Sequence, residues 1–269
     1  MSHPSTAIAP QPLAEPRPQG SGLSLGTTSF LAQPYCYSTK MMALPTPDPR
    51  PSPPHALNLL RLLQLADSAL PIGSLAHSFG LETLIADGHL SVAGLFEFLR
   101  VSLTENLLLD AVFCRSAHCR AHSRQSIEEL NTRLSALRLA RESREASLVL
   151  GKRFLSLVVS LEPELLCSPG NSHWVIAFGS TCGLLGFAAD DTVSTFLHQS
   201  LVAAVSACQR LLRLGQTEAS QIVWDLKPYI LQATSQSATL SFHHVGSFAH
   251  LPELASTRHP LLSTRLFVS

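Results

Sequence analysis

The sequence predicts an all-α protein, a single bundle of seven to eight helices that follows a proline-rich N-terminal arm. Leucine-rich stretches repeat with the i, i+3, i+4, i+7 spacing of one buried helix face. Residues that start or stop helices bracket these stretches, and no alternating strand pattern, hairpin turn or internal repeat interrupts them. With 45% hydrophobic and 14% charged residues among 269, the chain can build a sizeable core.

Two flanking segments differ in composition from the predicted bundle. Residues 1–54 hold twelve of the eighteen prolines, six of them within residues 45–54. Proline removes backbone donors and excludes helix, so we expect a disordered or polyproline-II-like arm. A proline-rich docking motif or an organelle transit peptide are alternatives to a plain solvated extension. Residues 233–269 form a polar tail that we expect to become ordered when a partner binds.

The helical domain is predicted over residues 55–232. A break around Pro71 and Gly73 separates the first two helices, because both residues stop a helical pattern. Gly88 suits the end of the second helix, and Ser91 can cap a long third one. The predicted helices run over about 55–66, 75–86, 91–120, 126–161, 173–187, 191–212 and 216–231.

The charge balance excludes two classes of protein. Nineteen basic residues offset nineteen acidic ones, so the formal net charge is zero. A nucleic-acid-binding protein that works through a basic face and a polybasic membrane-surface protein both need a positive excess. A net charge near zero favours association, so we expect a surface for protein partners.

Cysteine usage and hydropathy predict a cytoplasmic, non-membrane protein. The six cysteines include no C-x-x-C pair, which is typical of reduced thiols in a chain of this length. Residues 167–189 carry no charged side chain and are long enough to span a bilayer. Because Pro169, Gly170 and Asn171 interrupt the stretch, a loop followed by a buried helix fits better.

No enzyme signature is present. The chain has no P-loop, Rossmann glycine run, H-E-x-x-H or nucleophile elbow, so it is predicted not to be an enzyme. Asp67 and His77 flank the break at Pro71. A structural hydrogen bond between them is the favoured interpretation, and a catalytic dyad is the alternative.

One cluster has the residue types of a metal site. Cys114, His118 and His122 step by four along the predicted third helix, and Cys119 lies beside His118. Thiolate and imidazole suit zinc or nickel, although one helix seldom surrounds an ion with four ligands. Buried cysteines and surface histidines are the alternative. A second group of histidines, favoured as plain polar tail residues, comprises His243, His244, His250 and His259.

Five short motifs follow one another along the chain. Residues 62–82, LLQLADSALPIGSLAHSFGLE, contain S-x-A-L-P-x-G and then S-x-G-L-E. The others are REAS with GKRFL (144–155), HWVIAFG (173–179), LGQ (214–216) and STRLFVS (263–269). Together they resemble the UreF family of urease accessory proteins over about residues 56–230 and the tail.

The resemblance implies an all-α, non-enzymatic protein that forms a homodimer. UreF proteins form a platform with UreD (also called UreH) that recruits the nickel-carrying GTPase UreG. That assembly delivers two nickel ions to apo-urease and couples delivery to GTP hydrolysis, and UreF acts as a checkpoint on the GTPase and as part of the nickel route. No cofactor of its own is implied, because the complex handles the nickel. The alternative is a helical adaptor that has lost the urease pathway.

The motifs also supply the candidate partner-binding or structural residues. Gly73, next to Pro71, is expected to bend the chain sharply. Glu82 is expected on a helix face that a partner's basic group can reach. Arg265 and Phe267 are expected to anchor the tail on a partner. The remaining candidates are Ser78, Gly80, His173 and Gly215.

Overall fold

The structure, a computed structural model, describes residues 54–165 and 170–269, which form α-helices and turns but no strand. The predicted all-α class is therefore confirmed. The predicted arm lies outside the described residues except for Pro54, which begins the first helix. The helices are α1 (Pro54–Leu65), α2 (Leu81–Ala86), α3 (Val92–Ser102), α4 (Asn106–His122), α5 (Glu128–Leu137), α6 (Arg141–Leu161), α7 (Trp174–Leu184), α8 (Ala189–Leu211), α9 (Gln216–Asp225), α10 (Lys227–Ser237) and α11 (His250–Arg258), with single 3-10 turns at Ser74–Ala76 and His259–Leu261.

The described part of the chain has more helices than predicted, because three long predicted helices are divided and the predicted tail contains α11. The predicted helix 126–161 forms as α5 and α6, separated by extended backbone at Arg138 and Ala140. The predicted helix 91–120 forms as α3 and α4. The hydroxyls of Ser102 and Thr104 donate to the carbonyls of Phe98 and Val101, and such bonds compete with the helical ladder. Pro228, in the first turn of α10, lacks the N–H that would continue α9.

Helix α7 lies at the centre of the core. Nine of its eleven residues are buried, and it packs most extensively on α4. Gly179 and Gly183 face the backbone of Cys114 and His118 so closely that a Cβ at either glycine would collide with a carbonyl oxygen. The two glycines, one helical turn apart, therefore set the approach of the two helices.

The uncharged stretch 167–189 thus supplies a core helix over its described residues, as the sequence predicts. Among the described residues, no helix is long and apolar enough to cross a membrane.

An aromatic cluster joins α7 to its other neighbours. Trp174 and Phe178 on α7 lie between Phe154 of α6 and Phe196 of α8. The ring centroids of Phe154 and Trp174 are 4.7 Å apart, and those of Phe178 and Phe196 are 5.6 Å apart. These tilted and edge-on rings pack α7 against α6 and α8.

The C-terminal residues return to the domain instead of extending from it. The predicted tail begins inside α10, and α11 then packs on α2 and α6. Ala255 and Phe267 are both buried. The tail is predicted to become ordered on a partner, whereas in the structure the single chain already holds it through its own polar and apolar contacts.

Candidate functional site

The P-x-G motif forms the predicted bend. Gly73 adopts φ 82°, in the left-handed region that favours glycine. The guanidinium of Arg153 on α6 donates to the carbonyl of Ile72 at 3.1 Å. A Cβ on Gly73 would lie 2.8 Å from the same guanidinium. The left-handed turn therefore requires the glycine, whereas a Cβ would displace only the flexible end of the Arg153 side chain. Pro71 remains exposed.

The S-x-G-L-E motif forms a socket for the end of the chain. The N–H and the hydroxyl of Ser78 both donate to the main-chain oxygen of Ser269, at 2.5 and 3.0 Å. The N–H of Phe79 donates to the same oxygen at 3.2 Å. Gly80, with φ 90°, starts α2 so close to α11 that a Cβ would lie 2.7 Å from the hydroxyl of Ser256.

Glu82 binds the returning chain. Its carboxylate accepts the N–H groups of Leu266 at 2.6 Å and Phe267 at 3.1 Å. The imidazole Nε2 of His259 lies 3.0 Å from the same carboxylate. Burial opposes ionisation, but the bonds from Leu266, His259 and Phe267 hold the pKa of Glu82 below its usual value. The expected role as an exposed contact for a partner's basic group is wrong, because Glu82 is buried and already engaged.

His259 joins two helices through its ring. Its other nitrogen, Nδ1, lies 2.8 Å from the carboxylate of Glu142 on α6. Arg265 contacts the second oxygen of Glu142 at 3.4 Å and stays partly exposed. No role is predicted for Glu142 from the sequence, and His259 is predicted to be a polar tail residue. No spacing rule could have found either, because their partners lie 117 and 177 residues away in the chain.

The last residues contact α2 and α8. The Val268 N–H donates to Ala76 at 2.9 Å, and the Arg210 guanidinium lies 5.7 Å from the centroid of the Phe267 ring. Phe267 is buried, whereas Leu266 and Val268 on either side of it are exposed. Phe267 thus anchors the segment on its own chain, whereas its predicted role was to anchor the tail on a partner.

His173 has a structural environment. Its Nε2 lies 2.8 Å from the hydroxyl of Ser135, and its Nδ1 lies 3.1 Å from the hydroxyl of Ser147. Burial, with smaller contributions from Arg138 and Arg144, lowers the pKa of His173 to about 3. A neutral imidazole therefore ties α5, α6 and the start of α7 together.

Gly215, the other candidate from the later motifs, precedes α9 in an extended conformation that any residue can adopt. A Cβ there would meet no atom within 4 Å.

The four candidate metal ligands are not arranged around an ion. Cys114 is fully buried, and burial raises the pKa of its thiol well above the ordinary value. The Nε2 of His118 is hydrogen-bonded to the carbonyl oxygen of Phe187, 2.8 Å away. Cys119 is exposed. In residues 54–165 and 170–269, no group of three or more His, Cys, Asp and Glu side chains is placed to hold a metal ion.

The predicted pairing of Asp67 with His77 does not form. The carboxylate of Asp67 accepts the N–H of Ala69 at 2.8 Å, which closes a local turn. His77 instead lies 2.7 Å from the hydroxyl of Ser269. Burial and Arg153 lower the pKa of His77. Its ring therefore belongs to the socket for the C-terminal segment.

A cavity of about 480 Å³ lies beside this socket. Its wall includes the ion pair between Asp110 and Arg138, whose atoms are 2.7 Å apart. The side-chain oxygen of Asn106 and the side-chain nitrogen of Gln199, both residues of this wall, are buried without a hydrogen-bond partner. Buried polar atoms are normally satisfied, so this cavity suits water or a small polar solute.

Comparison with known proteins agrees with the motifs. The family model UreF matches residues 90–227. The urease accessory protein UreF of Geobacillus kaustophilus (strain HTA426) is 34% identical over 220 residues, which cover 78% of this chain and 98% of that protein. The urease accessory proteins UreF of Lachnoclostridium phytofermentans (strain ATCC 700394 / DSM 18823 / ISDg) and Rhizobium johnstonii (strain DSM 114642 / LMG 32736 / 3841) are 33% and 31% identical. They match over 224 and 214 residues, which cover 78% of this chain and 98% and 96% of those proteins.

Proposed function

The chain belongs to the UreF family of urease accessory proteins, and on that premise we propose that it is a non-enzymatic scaffold for urease maturation. Its partners are UreD/UreH-like and UreG-like accessory proteins and apo-urease. The assembled complex delivers nickel to apo-urease, and this chain regulates the UreG GTPase within it. Nickel is the cargo of the complex, so the chain needs no resident cofactor. We place the assembly in the cytoplasm.

An exposed apolar surface near the C-terminus carries this proposal. On α11, Ala255 and Ser256 are buried, whereas Leu251 and Leu254 are exposed, as is Leu261 just beyond the helix. We define the tail face as the exposed side chains of Phe248, Leu251, Leu254, Leu261, Leu266 and Val268. Six large apolar side chains exposed within 21 residues are typical of a protein-binding surface.

A second exposed surface supports a homodimer. Trp224 and Leu231, on α9 and α10, are both 64% exposed. The ammonium of Lys227 lies 3.7 Å from the centroid of the Trp224 indole. Exposed tryptophan is enriched at binding hot spots, and two separate surfaces suit a scaffold that binds several proteins at once.

Co-purification from the native extract tests the scaffold. Tagged wild-type protein should recover UreD and UreG homologues, and urease in cells that lack the protein should accumulate as nickel-free apoenzyme. The double variant Leu254→Ser, Leu266→Ser should lose these partners. The matched control is Val101→Ser, which changes an exposed apolar residue of α3.

Two results would contradict the proposal. One is that neither homologue is recovered with folded wild-type protein. The other is that urease is fully active in the null cells, which would favour the helical adaptor without a role in the urease pathway.

A further inference from the structure

The cavity beside the socket has a mostly apolar wall. Its volume of about 480 Å³ lies within the range of sites that bind small organic molecules, about 300–1,000 Å³. Leucine and aromatic side chains supply much of the lining, and Trp174 is one of them. Leu139 and Leu254 also line the cavity and are 74% and 61% exposed, so the cavity reaches the surface beside α11. Close-packed protein cores leave few spaces of this size.

One ion pair supplies charged groups to this wall. Arg138 Nη2 donates to Asp110 Oδ1 at 2.7 Å, and each side chain keeps 16% of its surface uncovered. Burial nevertheless raises the pKa of Asp110, although Arg138 opposes the rise. The uncovered surface of the pair therefore faces the cavity and not bulk water.

Three polar atoms in the wall have no hydrogen-bond partner among the described residues. They are Arg138 Nε and Gln199 Nε2, which donate, and Asn106 Oδ1, which accepts. Buried polar atoms are normally satisfied, and an unpaired one destabilises the fold. A ligand that both donates and accepts hydrogen bonds matches the two kinds of unpaired atom.

The charges of the wall disfavour an ionic head group. Asp110 and Arg138 neutralise each other, so an added charge would be buried without a counter-ion. Asp67 and Glu253 also line the cavity, and each accepts a backbone N–H, at 2.8 and 3.1 Å. Their negative charge disfavours a carboxylate further.

We infer that this cavity binds a small uncharged molecule with an apolar body and a carboxamide head group. The head group lies at the ion pair, where its N–H donates to Asp110 and its carbonyl accepts from Arg138. A carboxamide suits the pair better than a hydroxyl because its donor and its acceptor are separate atoms, which can meet both side chains at once. Neighbouring atoms cover the unpaired atoms of Asn106 and Gln199, so these side chains turn toward the head group when it binds. The inference does not depend on the proposed function.

Calorimetric titration of the full chain with three ligands of similar length tests the inference. Octanamide, octanoate and octylamine share an apolar body and differ in the charge of the head group at neutral pH. Octanamide should bind at least tenfold more tightly than either ionic ligand, because only its head group enters the wall without an unpaired charge.

Tryptophan fluorescence shows where the ligand binds. The chain has two tryptophans, so the variant Trp224→Phe leaves Trp174 of the cavity wall as the reporter. Its emission should change as octanamide is added, with the same dissociation constant that calorimetry gives.

Two substitutions separate the apolar body from the head group. Ala204→Leu adds bulk to the wall from α8 and should lower the affinity for octanamide at least tenfold. Asn106→Leu removes the unpaired acceptor and should lower the affinity about fivefold. The matched control is Ala136→Leu, an exposed residue of α5 outside the cavity, which should bind octanamide as the wild type does.

Several results would overturn this assignment. They are no heat of binding and no change in Trp174 emission up to the solubility limit of octanamide, equal affinity for the three ligands, tighter binding of an ionic one, and undiminished binding by Ala204→Leu. The titrations contain no partner protein, so their failure leaves the scaffold to be judged by co-purification.

Discussion

His173 and His259 are both fully buried, but they have different neighbours. His173 lies between two serine hydroxyls, which can donate or accept, so its neutral ring keeps both hydrogen bonds. His259 lies between two carboxylates, which join it to α2 and α6. Burial is the largest cause of the lowered pKa of His173.

His173 makes stability depend on pH. Because its pKa falls from 6.5 to about 3 on folding, the unfolded state binds the proton more tightly. Its contribution is complete above pH 6.5 and is lost as pH falls towards 3. We expect the free energy of unfolding to drop by about 2 kcal/mol between pH 7 and pH 5 on its account. Urea denaturation at a series of pH values measures this.

The variant His173→Gln is the comparison for this change in the free energy of unfolding with pH. It should be less stable at pH 7 and should lose the part of the pH dependence that His173 supplies. Burial also lowers the pKa values of His77, His118 and His198. Their contributions to the pH dependence are present in both proteins and cancel when the two are compared. An identical slope in the two proteins would show that His173 does not titrate as the structure implies.

Glu82 is the polar residue whose loss should be most costly at the socket. Glu82→Ala leaves two buried N–H groups and His259 without their acceptor, so we expect a loss of about 3 kcal/mol in the free energy of unfolding. Since its folded pKa lies below 4.5, its contribution persists above that pH and disappears as pH falls through the folded pKa. Thermal denaturation of the variant measures the cost, and Glu97→Ala, a surface change on α3, should cost little.

At the scale of elements, the contact between α4 and α7 depends on residues that have no side chain. Gly179→Ala would place a methyl group against the backbone of α4, so we expect a loss of about 3 kcal/mol despite the better helix propensity of alanine. Gly94→Ala, in α3, is the matched control, because the nearest atom to its Cβ would be the Ser91 hydroxyl, 4.0 Å away. It should be stabilising by about 0.5–1 kcal/mol. Equal effects of the two substitutions on the chemical denaturation midpoint would contradict close packing at Gly179.

The sequence predicts the elements better than their ends. Leucine spacing and the bend at Gly73 are local signals, so most helices form where expected. The divisions after Ser102 and before Pro228 arise from side-chain hydrogen bonds and from a missing backbone N–H, neither of which a hydrophobic pattern records. The socket could not be predicted either, because Ser78 and Glu82 bind residues 191 and 184 positions away, and spacing along one helix says nothing about such pairs.

At the scale of the whole molecule, the ordered motifs identify the family, but they do not show which side chains face outward. Motif residues such as Ser78, Gly80, Glu82 and Phe267 are used within the chain. The exposed apolar side chains lie beside them on the tail face. These motif residues therefore support the exposed surface and do not form it.

Complementation of cells that lack the protein tests the proposed role in urease maturation most directly. Urease purified from these cells would be assayed for bound nickel after expression of the wild type, of the Leu254→Ser, Leu266→Ser variant, or of the Val101→Ser control. We expect nickel-loaded urease with the wild type and with the control. With the tail-face variant we expect apo-urease, although the variant itself folds normally. Full nickel loading by the tail-face variant would contradict the assignment of that surface, and full loading in the uncomplemented cells would contradict the role in urease maturation.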